Sequence, residues 1–412
     1  MATRVVVTGM GIVSPLGNDL ATFWEALREG RSGVGPITGF DASNLSSRIG
    51  AEVKTAEELG PADFSGKDRR RRDRYTLHAI LASDQAWAHS GLDISKEDPD
   101  QCACIIGTGI GGIQTLEDGH GNFMNDGPRA ISPLTIPKLI ANMASGEVAI
   151  RLGLSGPNKS IVTACASGAQ AIAEGVNLIR AGQADVVVAG GAEAPITPFA
   201  VAGFCAMKAL SRRNDEPQRA SRPFDAERDG FVISEGAGVV ILESEEHAKA
   251  RGAVIHGEVV GFGETCDAYH ITAPRPDGSG AASAMRLALK SSKLNPGDIH
   301  YFNAHGTSTK HNDAAETLAL KTIFGDAMPP VSSTKSMHGH MLGAAGSAEL
   351  IVCMLAIQHG VLPPNINYEN PDPECMVNLI ANTAREAKID TAMSNSLGFG
   401  GHNASVIVRR YA

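Results

Sequence analysis

Short apolar segments separated by glycine-rich turns recur along the chain. Several are apolar almost throughout, a pattern typical of strands in a parallel sheet covered on both faces. We therefore predict a buried strand at each of them. These segments are residues 4–11, 102–106, 184–191, 238–243 and 254–260.

Three segments have helical spacing. Asp19 is a suitable N-cap for a helix that runs to Arg28, and Gly30 is a suitable stop. Residues 168–179 place small and apolar residues at helical spacing without proline, and residues 75–90 predict a longer helix. The predicted core positions of the longer helix are Leu77, Ile80, Leu81 and Trp87.

The first predicted strand ends in Gly9-Met10-Gly11, which resembles the opening of a dinucleotide-binding turn. That turn needs a third glycine where Ser14 stands, and Pro15 follows directly. No persuasive strand-helix-strand unit ends in a ribose-binding acid. The sequence therefore argues against a nucleotide site here.

Composition narrows the class of protein. The 412 residues suffice for two or three ordinary domains or one large duplicated one, with charged residues at 20% and hydrophobic ones at 43%. The net charge of −9 argues against nucleic-acid binding. We find no apolar run long enough to span a bilayer and no leader before Val5, so we expect no membrane partner and a cytoplasmic location.

The cysteines do not form a metal or disulfide pattern. Their number is odd, and they are scattered without a pair of C-x-x-C units. Cys102 and Cys104 alternate along a predicted strand, so both thiols should point into the core on one face. The seven positions are 102, 104, 165, 205, 266, 353 and 375.

Cys165 lies where an apolar run ending at Val162 meets the predicted helix 168–179. Unpaired backbone N–H groups and the positive end of the helix dipole favour the thiolate there and lower the pKa of the thiol. Cys165 is therefore a candidate nucleophile. The alternative is a small buried residue, because free cysteines are among the most buried residue types.

His305 and His340 each lie among Gly, Ser and Thr residues where a predicted strand ends. Such positions commonly hold site residues in α/β proteins. The alternative for each is a half-buried structural histidine. We expect both imidazoles to share one cavity with the sulfur of Cys165.

A short internal repeat relates Cys165 and His340. Counting from each, glycine falls three residues later, alanine four later and glutamate nine later. The repeat indicates a duplication, although two helices rich in Ala and Gly match easily by chance.

Four motifs together resemble the condensing enzymes of fatty acid synthesis. The motifs occur in the family's order, and the resemblance extends from Arg4 to the last strand. They are TACASGAQAI (163–172), NAHGTST (303–309), KSMHGHMLGAAG (335–346) and NSLGFGGHN (395–403).

The resemblance implies an α/β, thiolase-like duplicated fold, with two related halves in a layered α-β-α-β-α architecture and the active site between them. We expect the halves to be residues 1–252 and 253–412. The resemblance also implies a homodimeric acyltransferase without a cofactor or a catalytic metal. Its substrates would be carried on the phosphopantetheine of an acyl carrier protein.

The implied reaction is the decarboxylative condensation of a malonyl thioester with an acyl group held on Cys165, which elongates a fatty acyl chain by two carbons. In the family, His305 and His340 would stabilise the enolate left by decarboxylation, and Lys335 would hold the hydrogen bonds of the site. The backbone N–H groups of Cys165 and Phe399 would form an oxyanion hole, with Phe399 also acting as a gate.

The resemblance further assigns binding residues. Thr307 and Thr309 would contact the pantetheine arm, Ile110 and Phe204 would line the acyl pocket, and Thr272 would also bind substrate. Plain core packing is the alternative for Ile110 and Phe204, since an acyl pocket is a core with a hole in it.

The only dense basic run, residues 67–74, allows two interpretations. It is either the solvated start of a helix or a dock for an acidic carrier protein, whose on-rate it would raise. The docking residues that the resemblance implies are Lys67, Arg69, Arg70, Arg71 and Lys208.

Some positions match a family cation site, and others depart from the family pattern. His338 replaces a threonine, which we interpret as a tuning or surface change, and Lys310-His311 stands where Pro-Ala is common. The residues near a structural monovalent cation in relatives are Asn303, Glu349, Ser394 and Asn395.

Three alternative functions remain. The chain could be the ketosynthase of a polyketide-type pathway, a non-catalytic partner that measures chain length, or a cysteine hydrolase. Non-catalytic relatives lack the nucleophile that Cys165 supplies here. A hydrolase would need a path for water to the acyl-enzyme, whereas the family stores the chain in a dry pocket.

Overall fold

The structure is a computed structural model and describes residues 3–53 and 64–412. Within these residues, strands and helices alternate along most of the chain. The strands are β1 (Val5–Val13), β2 (Gly35–Pro36), β3 (Ile49–Gly50), β4 (Cys102–Gly107), β5 (Asn158–Lys159), β6 (Val186–Glu193), β7 (Gly236–Ser244), β8 (Gly257–Cys266), β9 (Tyr301–Asn303), β10 (Val331–Ser332), β11 (Val361–Leu362), β12 (Arg385–Glu386), β13 (Thr391–Gly398) and β14 (His402–Arg409). The α-helices are α1 (Leu20–Arg28), α2 (Gly66–Arg70), α3 (Arg74–Ser90), α4 (Ile113–Asp126), α5 (Thr135–Leu139), α6 (Met143–Leu152), α7 (Ser167–Arg180), α8 (Pro198–Ala206), α9 (Glu245–Ala250), α10 (Ser279–Ser292), α11 (Lys310–Phe324), α12 (Lys335–His338) and α13 (Ala345–His359).

The main sheet consists of two halves with the same topology. One half has the order β1-β7-β6-β4-β5 and the other the order β8-β14-β13-β9-β10, and β1 pairs with β8 where they meet. In each half the first three strands pair antiparallel and the last two join in parallel. This repeated topology confirms the duplicated, thiolase-like α/β fold. The boundary between residues 252 and 253 stays a prediction.

The helices complete a five-layer arrangement. Helices α7 and α13 pack against each other in the central core, where they contact strands of both halves. Helix α3 covers the outer face of the first half and α10 the outer face of the second. Along β4, Cys102 and Cys104 face the α3 side while Ala103 and Ile105 face the centre, as the alternation predicts.

Helix α3 follows its predicted range, but its buried face differs from the predicted one. Leu77, Leu81 and Trp87 are only partly buried, and Ile80 is the one predicted core position that is fully buried. The buried face instead consists mainly of small residues, together with Tyr75, His78 and Ile80. The reason is that a helix must carry small side chains to approach a sheet closely.

Two glycines of β1 make that approach possible. A Cβ on Gly9 would lie 2.1 Å from the carbonyl oxygen of Ala86, and one on Gly11 would lie 2.0 Å from that of Ala82. The Gly9-Met10-Gly11 sequence therefore serves helix packing.

Two other predictions from the sequence differ from the structure: the bounds of one strand, and the absence of an apolar run long enough to span a bilayer. The strand predicted over 254–260 begins only at Gly257 and extends to Cys266, and Val254 is exposed. Residues 342–359, with a mean hydropathy of 1.4, form the one helical stretch of the described chain long and apolar enough to cross a membrane. Because 89% of this window is buried inside the molecule, it is the core helix of the fold.

Candidate active site

Cys165 lies in a tight turn that leads into α7. The turn comprises Ala164–Ala166, and Ala164 has a φ of +50°, a left-handed conformation that a residue with a side chain rarely adopts. The Oγ of Ser167 stabilises the turn, since it donates to the carbonyl of Ala164 (2.7 Å) and accepts from the N–H of Thr163 (2.9 Å). The thiol is thus held at the start of a helix, 7% exposed.

The three candidate catalytic groups meet in one cavity, as the sequence predicts. The Nε2 of His340 lies 3.0 Å from the Sγ of Cys165, and one ligand atom from each of Cys165, His305 and His340 lies within 4.8 Å of the others. The two imidazole rings meet edge to face at 5.2 Å. The cavity has a volume of about 510 Å³.

Hydrogen bonds to the backbone fix both histidines. His305 follows β9, and its N–H donates to the Oε1 of Glu316 (2.9 Å). The N–H of His340 donates to the carbonyl of Val232 (2.8 Å), and its own carbonyl accepts from the N–H of Ser234 (3.0 Å). Each imidazole therefore enters the cavity from a constrained segment.

The pKa of Cys165 moves in the opposite direction from the prediction. Burial raises the pKa of the thiol to about 12, although the nearby charge of Lys335 and a hydrogen bond from the N–H of Phe399 act to lower it. The expectation of a lowered pKa is wrong because it considered the helix terminus and not the depth of the site. The resting nucleophile is a thiol.

The two histidines are neutral in the resting site. Burial, followed by the charge of Lys335, holds the pKa of His305 and of His340 well below the usual range of imidazole. A neutral ring keeps one N–H and one lone pair. The Nε2 of His340, which faces the Sγ of Cys165, can therefore take up the thiol proton.

Lys335 is buried and paired, as its expected role within the site requires. It forms an ion pair with Glu349. Burial raises the pKa of Glu349 to about 7, and Lys335 acts to lower it. The pair places a positive charge close behind the thiol and the imidazoles.

The residues matched to a family cation site contain unpaired oxygens. Within the described residues, the Oδ1 of Asn303, the Oε2 of Glu349 and the Oγ of Ser394 are buried without a hydrogen-bond partner. Asn303 and Ser394 are register partners in β9 and β13. The Oδ1 of Asn395 already accepts from Ser405. Three of the four predicted residues therefore offer a free oxygen to a cation.

All predicted substrate-binding residues line the cavity. Thr307 and Thr309 hydrogen-bond to each other through their hydroxyls (2.9 Å), so one hydroxyl remains able to donate outward. Ile110, Phe204 and Thr272 line the walls with them. Phe399 and Lys208 also border the cavity.

The loop of Phe399 closes tightly over the nucleophile. A Cβ on Gly398 would lie 2.8 Å from the carbonyl of Thr163 and 3.2 Å from the nitrogen of Cys165. Asp267 holds the far end of the loop, since its N–H donates to the carbonyl of Gly401 (2.8 Å). A glycine at 398 thus leaves the backbone N–H of Cys165 accessible.

The basic run divides into exposed and paired residues. Lys67, Arg70 and Arg71 are exposed, whereas Arg69 is half-buried. Arg72 is paired with Glu147 at 2.8 Å. Three of the predicted docking residues in this run are therefore available to a partner.

The positions that depart from the family pattern have different environments. His338 is fully buried and contacts the carbonyl of Gly339 (2.8 Å) and the hydroxyl of Thr334 (3.0 Å), so the interpretation as a surface change is wrong. Burial, with Lys335 nearby, lowers the pKa of His338 to about 3. Lys310 and His311 border the active-site cavity.

Sequence reasoning missed several residues that shape the site. They are single residues in different elements and loops, and no spacing distinguished them. Glu193 and Glu316 hold backbone segments of the site, Asp267 holds the Phe399 loop, and Phe231 and Leu342 line the cavity.

The internal repeat is real, but its predicted register is wrong. The turn Leu342–Ala344, with Leu342 at a φ of +44°, precedes α13 just as Ala164–Ala166 precedes α7. Gly343, and not His340, is therefore the counterpart of Cys165. The error is three residues because positions three apart share a helix face and carry a similar small-residue pattern.

Comparisons with known proteins agree with this geometry. Residues 2–248 match the family described as beta-ketoacyl synthase, N-terminal domain, and residues 256–369 match its C-terminal domain. The chain is 50% identical over 410 residues to a 3-oxoacyl-[acyl-carrier-protein] synthase 2 of Synechocystis sp., covering 99% of this chain and 98% of the relative. It is 48% identical over 409 residues, with the same coverage of both chains, to the protein of that name from Coxiella burnetii.

A solved structure matches equally well in shape. A beta-ketoacyl synthase from Burkholderia phymatum has a TM-score of 0.93 at 37% identity, with full coverage of both chains. The described fold, the cavity and the family matches lead to one conclusion: the chain belongs to the beta-ketoacyl synthase family.

Proposed function

We propose that this protein is a 3-oxoacyl-[acyl carrier protein] synthase of the second type. It transfers an acyl group to Cys165 and condenses it with a malonyl thioester, which extends a fatty acyl chain by two carbons. The proposal rests mainly on one observation: Cys165, His305 and His340 line the same cavity. The sulfur and one nitrogen of each imidazole lie within 4.8 Å of one another.

The first step is a thioester exchange. The Sγ of Cys165 attacks the acyl carbonyl while the Nε2 of His340, at 3.0 Å, takes the thiol proton. The bond from the acyl carbon to the pantetheine sulfur breaks, and that sulfur leaves with a proton. The N–H groups of Cys165 and Phe399 bind the oxyanion, and each such donor is worth roughly 3 to 4 kcal/mol in hydrolases.

The second step makes the new carbon–carbon bond. The malonyl carboxylate leaves as carbon dioxide, and its bonding electrons form an enolate whose oxygen accepts hydrogen bonds from His305 and His340. In this step the neutral ring of His340 is the tautomer with its N–H on Nε2. The enolate carbon attacks the acyl carbonyl on Cys165, the bond from that carbon to the sulfur breaks, and the sulfur leaves as a thiolate that takes a proton from water. Neutral imidazoles suit this step, because decarboxylation creates the carbanion without a strong base.

We propose no cofactor and no catalytic metal, because thiol and imidazole chemistry accounts for each bond. Lys335, paired with Glu349, keeps a positive charge near the developing anion. Asn303, Glu349 and Ser394 have free buried oxygens that suit a structural monovalent cation.

The substrate arrives on a carrier protein. Thr307 and Thr309 bind the pantetheine arm where they line the cavity. Lys67, Arg70 and Arg71 are exposed, and their positive charges attract the acidic carrier. A solved ketosynthase with 34% identity and a TM-score of 0.93 is described in complex with an acyl carrier protein, which supports such a partner.

That relative belongs to a polyketide pathway, which keeps a polyketide ketosynthase as the second candidate function. Its identity is lower than the 50% shared with the fatty acid type, so we favour the fatty acid pathway. The presence of Cys165 argues against a non-catalytic partner that measures chain length.

We also propose a cytoplasmic homodimer. Seven large apolar side chains are exposed within residues 116–140, where α4 and α5 pack together. Exposed apolar surface of this kind marks sites of protein–protein contact. Sedimentation at micromolar concentration should give twice the mass of the chain, and a monomer would refute the dimer. The exposed side chains are Leu116, Phe123, Met124, Ile131, Leu134, Ile136 and Ile140.

Intact-mass measurement tests the proposed function. After mixing with an acyl carrier thioester, the wild-type protein should gain one acyl group, and Cys165→Ala should gain none. Cys266→Ala, which removes an exposed cysteine, is the control and should be acylated like the wild type. An equal adduct on Cys165→Ala, or none on the wild type, would contradict the proposal.

A further inference from the structure

A buried carboxylate lies beneath the acyl cavity and has no charged partner among the described residues that bond to it. Glu193 ends β6 and is fully buried. Its Oε1 accepts from the hydroxyl of Thr108 (2.9 Å) and the N–H of Ile110 (3.1 Å). Its Oε2 accepts from the N–H of Gly109 (2.6 Å) and the N–H of Gly343 (2.9 Å).

These four donors come from two segments that meet only through the fold. Residues 108–110 follow β4 in the first half, and Gly343 belongs to the turn before α13 in the second. Ile110 and Leu342, one from each segment, both line the cavity that contains Cys165. Glu193 therefore joins two walls of the cavity.

The contact is close enough to require glycine on both sides. A Cβ on Gly109 would lie 2.7 Å from the Oε2 of Glu193, and a Cβ on Gly343 would lie at the same distance. A Cβ on Gly343 would also lie 2.3 Å from the nitrogen of Gly109. The two segments are thus packed directly against the carboxylate.

The duplication explains why a carboxylate occupies this place. Gly343 is the counterpart of Cys165, and Glu193, the last residue of β6, is the counterpart of Gly398, the last residue of β13. In the catalytic half, glycine at 398 leaves the N–H of Cys165 accessible to a substrate oxyanion. In the other half, the carboxylate of Glu193 binds the equivalent N–H permanently.

We infer that Glu193 is a positioning residue that fixes Ile110 against Leu342 and thereby sets how well long acyl chains enter the cavity. The inference rests on the proposed acylation of Cys165. Short acyl groups stay near the sulfur and do not need the wall at Ile110. Longer chains must pass between the two walls that Glu193 holds.

Glu193→Gln provides the test, because it keeps the size of the side chain and replaces one acceptor oxygen with an NH₂ group. That group would face two N–H or O–H donors and cannot accept from them. The rate of Cys165 acylation is measured by intact mass with acetyl and dodecanoyl thioesters of N-acetylcysteamine. We expect the dodecanoyl-to-acetyl rate ratio to fall about tenfold, since small misplacements of binding groups cost this much or more.

Two further variants separate positioning from general destabilisation. Thr108→Val removes one of the four donors and should lower the same ratio by a smaller factor, which keeps the test available if Glu193→Gln folds poorly. Glu243→Gln alters another fully buried carboxylate, at the opposite end of the β6–β7 pair, and should leave the ratio unchanged.

An unchanged ratio in folded Glu193→Gln and Thr108→Val would overturn the inference. So would an equal loss of rate with both thioesters, which is the result expected of a merely structural residue. Absence of any adduct on the wild-type protein would overturn the proposed function and this inference with it. Acylated wild type with an unchanged ratio in the variants would overturn the inference alone.

Discussion

At the scale of single residues, burial decides the protonation states of the site. The turn at Cys165 places the thiol at a helix start, where the local backbone favours an anion. Burial acts more strongly and raises the pKa of the thiol to about 12. The site thus stores a thiol beside a neutral imidazole and forms the thiolate when the proton moves to His340.

This state predicts how alkylation of Cys165 depends on pH. Iodoacetamide reacts with the thiolate, and well below the pKa the thiolate fraction rises about tenfold per pH unit. Because the pKa is raised, labelling of the Cys165 peptide should keep rising from pH 7 to pH 10. Peptide mapping distinguishes it from exposed Cys266. A rate that reaches a plateau near pH 7 would mean a thiolate–imidazolium pair.

The sequence could identify the nucleophile and the histidines but not their environment. Cys165, His305 and His340 follow from their motifs and from their positions at strand ends. The raised pKa of Cys165 and the burial of His338 arise from distant segments that pack over them, which no local pattern records. Glu193 is a single acid two positions after the pair Gly190-Gly191, so nothing in its spacing marked it.

At the scale of elements, glycines set how closely helices and strands approach. The pair Gly9 and Gly11 in β1 allows α3 to pack against the sheet at backbone distance. At the active site, Gly398 likewise allows the Phe399 loop to pack closely against the turn that holds Cys165. The apolar runs predicted the strands, but only the packing explains these glycines.

Substitution of Gly11 should therefore be costly. In Gly11→Ala the new methyl group would lie 2.0 Å from the carbonyl of Ala82, so α3 must shift. Overpacking of a core typically costs about 1–3 kcal/mol or more. Gly35→Ala is the matched control, because its Cβ would meet nothing within 4 Å. Equal melting temperatures of the two variants would contradict this account of the packing.

Glu243 connects β7 to β1 and α9 and should govern acid stability. Burial raises the pKa of this carboxyl, but hydrogen bonds from Arg251, His247 and Thr8 lower it to about 2, compared with 4.5 when unperturbed. A lowered folded pKa gives stability that is present above the unfolded pKa and is lost as pH falls from about 4.5 towards 2.

Glu243→Gln should abolish the loss of folding stability that protonation of this carboxyl causes in acid. The wild type should lose stability more steeply than the variant between pH 5 and pH 3, as measured by denaturant unfolding. At pH 7 the variant should be less stable by about 3 kcal/mol, the value of a shift of this size. Parallel pH profiles would show that Glu243 does not contribute.

At the scale of the whole molecule, duplication supplies one scaffold for two different uses. Both halves present a turn before a central helix and a loop after a strand. In one half these elements hold Cys165 and an accessible N–H, and in the other they are filled by Glu193. The family motifs predicted the duplicated fold, whereas the register of the repeat required the structure, because Ala- and Gly-rich helices match in several alignments.

The exposed basic residues predict how the molecule meets its carrier. Charge reversal by Arg70→Glu and Arg71→Glu should raise the KM for carrier-bound substrates about tenfold at low salt and less at high salt. Small thioester analogues should be unaffected, because they have no acidic surface. Arg385→Glu with Lys388→Glu, two exposed positions in the second half, is the matched control. Equal effects on carrier-bound and small substrates would indicate destabilisation.

The most direct test of the whole account is a single turnover on protein already acylated at Cys165. After addition of malonyl carrier thioester, the adduct should disappear with release of one carbon dioxide and formation of a 3-oxoacyl product two carbons longer. His305→Ala, which keeps the base of the acylation step, should retain most of the adduct and release little carbon dioxide. Loss of the adduct as free acid, without carbon dioxide, would show hydrolysis and contradict the account.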